Sequence, residues 1–144
     1  MDDRGLHDGS RDVRWGVLGA GRISHRFAKS LQAVDGARLV AAAGRTPSHV
    51  EEFCRAFSID DGHGYASADD SGDTAYEALV ADPDVDAIYL ALPHGMHVRW
   101  ACRALRAGKA VLCEKPAVLS EEEAGAIASV SREHGVLFME AMKN

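Results

Sequence analysis

The sequence predicts a three-layer α/β fold, a doubly wound parallel sheet covered by helices on both faces. Three observations carry this. Short apolar runs alternate with segments of helical periodicity from Val13 onward. The fourth run, VDAIYLAL, is nearly continuous rather than alternating, as a parallel strand buried on both faces should be. A glycine turn joins the first run directly to the first helix. Right-handed crossovers then give the strand order 3-2-1-4-5-6, with a ligand crevice outside the carboxyl ends of the strands.

Val13 to Leu18 is the first strand and Gly19-Ala20-Gly21 the turn. Ile23, Phe27, Leu31 and Val34 recur at helical spacing and define one apolar helix face. Gly36 turns the chain into a second strand, Ala37 to Ala43, ended by Gly44-Arg45-Thr46. Pro47 stands where a helix can begin, and Val50, Phe53, Cys54 and Phe57 fall at i, i+3, i+4 and i+7. Ile59 and a polar link lead to a short third strand at Tyr65-Ala66. Ser67 to Asp73 is loop by composition, and Asp73 is placed to cap a helix carrying Tyr76, Leu79 and Val80. Val85 to Leu92 is the fourth strand, broken by Pro93-His94-Gly95. The next helix buries Val98, Cys102 and Leu105 and stops at Gly108. Ala110 to Cys113 is the fifth strand, ended by Glu114-Lys115-Pro116. Ser120 and Glu123 have capping-box spacing and open a helix with Ile127 and Val130 inward, ending near Gly135. Val136 to Met139 is the sixth strand.

A chain of 144 residues, 47% hydrophobic and 26% charged, suits one domain with one substantial core. Its net charge of −6 argues against a general nucleic-acid or membrane-surface binder. No run reaches transmembrane length. Cys54, Cys102 and Cys113 are widely spaced and odd in number, without metal-ligand spacing. They predict neither disulfides nor a zinc site, and they fit a reducing cytoplasm. Residues 1–12 are polar, without the apolar centre of a secretory signal, and are expected to form a frayed tail.

The turn carries the first chemistry. One glycine supplies unusual backbone angles, and a second removes the β-carbon that would keep a diphosphate away. The helix then aims its N–H groups and positive dipole end at the phosphates. This is the Rossmann-type dinucleotide fingerprint G-x-G-x-x-G/A, with Ser24 in the third place. The bland alternative is an ordinary strand-to-helix turn, against which the flanking strand and amphipathic helix both argue.

Three further spots fall at strand carboxyl ends. After the second strand an NAD site usually places an Asp or Glu against the ribose 2′-OH. Here Arg45, Thr46 and Ser48 stand instead, able to bind a 2′-phosphate, so NADP is predicted ahead of NAD. The competing view is a solvated surface arginine. After the fourth strand, His94 suits a nicotinamide ribose, while His97 is either part of the site or a hydrogen-bonded tie for the loop. With no third ligand evident, the two histidines do not predict a metal. After the fifth strand, Pro116 holds Lys115 extended into the crevice. Its ammonium could assist proton transfer at a substrate hydroxyl, or simply pair with Glu114. Arg22, Ile23, Leu92 and Pro93 complete the expected cofactor-binding set with Gly19, Gly21 and Glu114.

The segments WGVLGAGRIS, DPDVDAIYLALPHGMH and AGKAVLCEKP, with the arginine after the second strand, resemble the glucose–fructose oxidoreductase/inositol dehydrogenase (Gfo/Idh/MocA) family over nearly all of 14–144. Within it the chain is most similar to the dihydrodiol and D-xylose dehydrogenase branch, which uses NADP. His94 and the closing FMEAMKN suit that branch. The resemblance implies that Lys115 lies beside the nicotinamide and contacts the reacting hydroxyl of a sugar or cyclic diol. It implies that Pro93, His94 and His97 shape that side of the site, and that Pro116 follows a cis peptide. Relatives carry a second α/β domain supplying the substrate pocket, further catalytic residues and a homo-oligomer surface. Residues 13–144 are therefore expected to be the dinucleotide-binding domain alone, inactive by itself. A non-catalytic NAD(P)-binding sensor and a partner-dependent subunit are the rival readings.

Overall fold

A computed structural model describes residues 12–67, 69 and 71–141. Apart from Asp12, the expected tail lies outside the described residues, as do 142–144 of the closing stretch. The strands are β1 (Val13–Leu18), β2 (Ala37–Gly44), β3 (Gly64–Ala66), β4 (Ala87–Leu90), β5 (Ala110–Cys113) and β6 (Phe138–Glu140). The helices are α1 (Arg22–Leu31), α2 (Pro47–Ala56), α3 (Asp73–Val80), α4 (His97–Arg106) and α5 (Glu121–His134). The strands form one parallel sheet ordered β3-β2-β1-β4-β5-β6, as expected.

Successive strand residues enter opposite layers. Val17 and Tyr89 join Ala28 of α1 and Phe53 of α2 in one cluster. Leu18, Ile88 and Leu90 join Leu79 of α3, Trp100 and Leu105 of α4 and Ile127 of α5 in the other. Both faces are therefore dry, which is why the runs read as continuously apolar.

Local chemistry sets several boundaries where the sequence puts them. Pro47 opens α2, with Thr46 before it in extended backbone. Ser120 Oγ accepts from Glu123 N at 3.1 Å, while Glu123 Oε1 reaches back to Leu119 N rather than to Ser120 N. Gly108 and Gly135 end α4 and α5 in the left-handed region.

Other expectations are corrected. The buried stripe of α1 is Ser24, Ala28 and Leu31. Of the expected face, Leu31 is buried and Phe27 packs against the core, whereas Ile23 and Val34, the latter beyond the helix end, are half exposed. The residue preceding α3 is Gly72, at φ +82; Asp73 is the first helical residue and accepts instead from Arg99 of α4 at 2.9 Å. β4 is four residues long, although Val85 and Leu92 on either side are buried. β6 begins two residues later than expected.

The amino ends of the strands are tied by a polar network. Arg14 donates through its backbone N and Nε to Asp86 Oδ2, at 2.9 and 3.0 Å. Buried Lys109 donates to the carbonyls of Asp82 and Val85 at 2.6 and 2.7 Å. Asp82, 3% exposed, accepts from Tyr65 Oη at 2.8 Å and Asp84 N at 2.8 Å, with His63 Nδ1 2.7 Å away. Burial by itself raises the Asp82 carboxyl, but these hydrogen bonds together outweigh it and hold the group below its ordinary value. Burial and the same carboxylate push the Tyr65 phenol up to about 12. His63 Nε2 is also 3.4 Å from Asp84, so both ring nitrogens are engaged. No helix among the described residues is long and apolar enough to cross a membrane.

Candidate functional site

Gly19 sits at φ +103, and a Cβ there would lie 2.7 Å from the Ala91 carbonyl oxygen. The position therefore excludes a side chain twice, by backbone angle and by contact with β4's continuation. Its N–H donates to Ala43 O at 2.9 Å, locking the turn to β2. Gly21 is different. Its φ of −106° is ordinary, and nothing lies within 4 Å of where a Cβ would be. The absent β-carbon leaves room rather than relieving strain. No side chain caps α1 and no acidic residue occupies its first turn, so the positive helix end opens onto that room. Ser24, fully buried, donates from Oγ to the Gly19 carbonyl. The third fingerprint position is thus filled by a residue small enough to pack and able to tie the turn.

Two clefts run across the carboxyl ends of the strands and share Ala91, Leu92 and Pro93. The first, about 290 Å³, is bounded by Gly19 to Gly21, by Gly44, Arg45, Thr46 and His49, and by Met96. Arg45 is exposed and pairs with no carboxylate among the described residues. Burial raises the phenol of Tyr76, which also lines this cleft, and the nearby Arg45 charge partly opposes the rise. The second cleft, about 340 Å³, is bounded by Ile23, His94, His97, Glu114 and Lys115. Exposed Ile23 thus has a place at its rim.

Most of the expected set is brought together, with two exceptions. Ser48 is exposed and lines neither cleft. Arg22 borders a neighbouring depression with His25, His49 and Glu52. His97 is 1% exposed. Its Nε2 lies 2.7 Å from Leu92 O, and Nδ1 lies 3.1 Å from both Pro116 O and Ala117 O. It ties the loop after β4 to the loop after β5, the second of the two roles read from sequence, and so fixes the floor of the cleft. The peptide between Lys115 and Pro116 is cis. Lys115 is exposed and does not pair with Glu114; Glu114 instead accepts from the Tyr89 hydroxyl. His49, Ser71, Tyr76 and Met96 also line the first cleft. His49 is the neighbour of a core valine on α2, and Tyr76 reads as core, so neither carried a signal in the sequence.

The comparisons with known proteins agree with this geometry. A family model described as an oxidoreductase family with an NAD-binding Rossmann fold, GFO_IDH_MocA, matches residues 13–142. Trans-1,2-dihydrobenzene-1,2-diol dehydrogenase from Danio rerio is 34% identical over 132 residues, covering 90% of this chain and 36% of that protein. The Mus musculus enzyme of the same name is 35% identical over the same length, covering 90% and 37%. Among solved structures, KijD10, a 3-ketoreductase from Actinomadura kijaniata in complex with NADP and TDP-benzene, superposes with a TM-score of 0.78 at 34% identity. The match covers 90% of this chain and 37% of that one. Biliverdin reductase from Synechocystis sp. PCC 6803, in complex with biliverdin and NADP+, gives 0.75 at 26% identity, covering 90% and 37%. The chain therefore spans little more than a third of the length of these relatives.

Proposed function

The chain belongs to the Gfo/Idh/MocA oxidoreductase family, and from that premise we propose that its groove binds NADP for hydride transfer to or from a hydroxyl-bearing carbon of a sugar or cyclic diol. The residues present fit such a group. The space beyond Gly21 is open, and the α1 end above it is uncapped and free of acid. Gly19 and Gly21 would hold the diphosphate there. Arg45 and Thr46, with His49 in the first turn of α2, would receive the 2′-phosphate. His94, Glu114 and Lys115 would border the nicotinamide side. The bound nicotinamide supplies the hydride chemistry. Lys115, unpaired by Glu114, is free to donate a hydrogen bond to a substrate oxygen and to ease its proton on or off. The substrate pocket and homo-oligomer contacts belong, in this reading, to a second domain like that of the longer relatives.

The observation that carries the proposal is the meeting in one cleft of an uncapped helix start with a strand end that bears Arg45 and no carboxylate. Calorimetric titration with NADPH and NADH tests it. Wild type should bind NADPH more tightly, and Arg45→Ala should lose about tenfold for NADPH while leaving NADH unchanged. Equal binding of the two by wild type would overturn the preference. A longer chain with such a second domain should oxidise sugars or cyclic diols with NADP and lose turnover in Lys115→Ala. Binding without turnover in that longer chain would favour the sensor reading.

A further inference from the structure

We infer that Tyr89 is a positioning residue for the nicotinamide half of the cofactor, fixing the Glu114 carboxylate at the groove so that it receives the ribose hydroxyls there; this rests on the cofactor reading above. Tyr89 is 3% exposed in the middle of the sheet. Its ring stacks flat on Phe27 of α1, with centroids 4.1 Å apart and planes 3° from parallel. Phe27 in turn meets Trp15 edge-on at 5.2 Å. These ring contacts and its burial hold the phenol in place. Its hydroxyl donates to Glu114 Oε2. Burial, then this hydrogen bond and the carboxylate charge, push the phenol far above its ordinary value, so it remains a donor.

Glu114 is only partly buried and lines the second cleft beside Lys115 and His94. Its other oxygen, Oε1, has no donor among the described residues. A carboxylate held at one oxygen offers the other solely as an acceptor. The matching ligand chemistry is a hydroxyl pair, which the ribose next to the nicotinamide supplies. Removing the phenol oxygen leaves the carboxylate free to rotate, which should weaken that half of the ligand alone.

The test compares NADPH with 2′,5′-ADP, which carries only the adenosine half. Tyr89→Phe keeps the stack on Phe27 and should raise the NADPH Kd about tenfold, with 2′,5′-ADP unchanged within about twofold. Glu114→Gln should do the same. The double variant should be no worse than Glu114→Gln, because the two act as one unit. Three results overturn the inference while the cofactor reading stands: Tyr89→Phe binding NADPH as wild type does, equal losses for both ligands, or losses that multiply in the double variant. Wild type that binds neither ligand would instead overturn the cofactor reading, and this inference with it.

Discussion

At the amino ends of the strands, Asp82, Lys109 and Arg14 are committed to hydrogen bonds within the protein. At the carboxyl ends, Arg45 and Lys115 stand exposed with no ion-pair partner among the described residues, and the α1 helix start carries no cap. One sheet thus has an end whose cations are paired within the protein and an end where Arg45 and Lys115 face solvent. The buried network at the first holds the layers in register. The exposed donors at the second stand in solvent, where a ligand can reach them. It follows that stability and cofactor affinity should be separable by mutation, with one position where they are not.

The largest effect should come from the paired end. Asp82→Ala leaves the Tyr65 hydroxyl, the Asp84 N–H and the His63 ring without their common acceptor. It should cost about 3 kcal/mol in urea unfolding, while NADPH affinity of the folded protein stays within about twofold. A large loss of affinity would show that the two ends are coupled. The same group predicts a pH dependence. Its folded pKa lies below the unfolded value of about 3.9, so its stabilisation is full above that pH and is lost as pH falls through the folded value. Asp82→Asn should flatten the fall in stability as pH drops below about 4.

Gly19→Ala is the position where both quantities move. Its φ of +103 and the 2.7 Å approach to Ala91 O strain any side chain. The variant should lose about 2 kcal/mol of stability, and NADPH binding should weaken with it because the turn itself shifts. Gly21→Ala, two residues away, should separate them again. With ordinary φ and open space, its melting temperature should match wild type within about 2 °C. The new methyl group would stand in the room left for the diphosphate, so the NADPH Kd should rise about tenfold. A Gly21→Ala protein that binds NADPH normally would remove the turn from the site.

The turn, Arg45 and Lys115 were legible in the sequence because each lies at a strand end, where a glycine, a proline or a break in hydrophobicity marks the place. Pro47, Gly108 and the Ser120 cap were legible because they carry the local chemistry of helix ends. What escaped the sequence depends on neighbours far along the chain. Ile23, Phe27, Leu31 and Val34 are apolar at helical spacing, and Phe27 and Leu31 do turn inward, yet Ser24 and Ala28 join them there while Ile23 and Val34 stay half exposed. Asp73 has a capping side chain, but Arg99 on another helix takes it and Gly72 stands in the cap position. Burial continues past the hydrogen-bonded ladder at Val85 and Leu92, so hydrophobicity overstates the length of β4. His49 and Tyr76 reach the first cleft from helices that pack over it, and the Tyr89 to Glu114 contact spans 25 residues. None of these pairings has a local signature.

Ser24 should give the smallest effect on affinity, and it probes one of the internal ties at the open end. Its hydroxyl donates to the Gly19 carbonyl from a fully buried site beneath the turn. Ser24→Ala keeps the close packing of α1 on the sheet and removes only that donor. A neutral hydrogen bond of this kind is worth about 1 kcal/mol, so the unfolding midpoint should fall slightly. Affinity should fall by no more than about threefold, because Gly19 N–H still donates to Ala43 O and keeps the turn on β2. Ser24→Gly, the strict fingerprint residue, loses the same bond and also adds backbone freedom inside a helix, so it should be less stable than the alanine variant by a further ~1 kcal/mol. If Ser24→Gly proved as stable as wild type, the hydroxyl would have no part in holding the turn. The tightness of the open end would then come from the glycine backbone and its bond to β2.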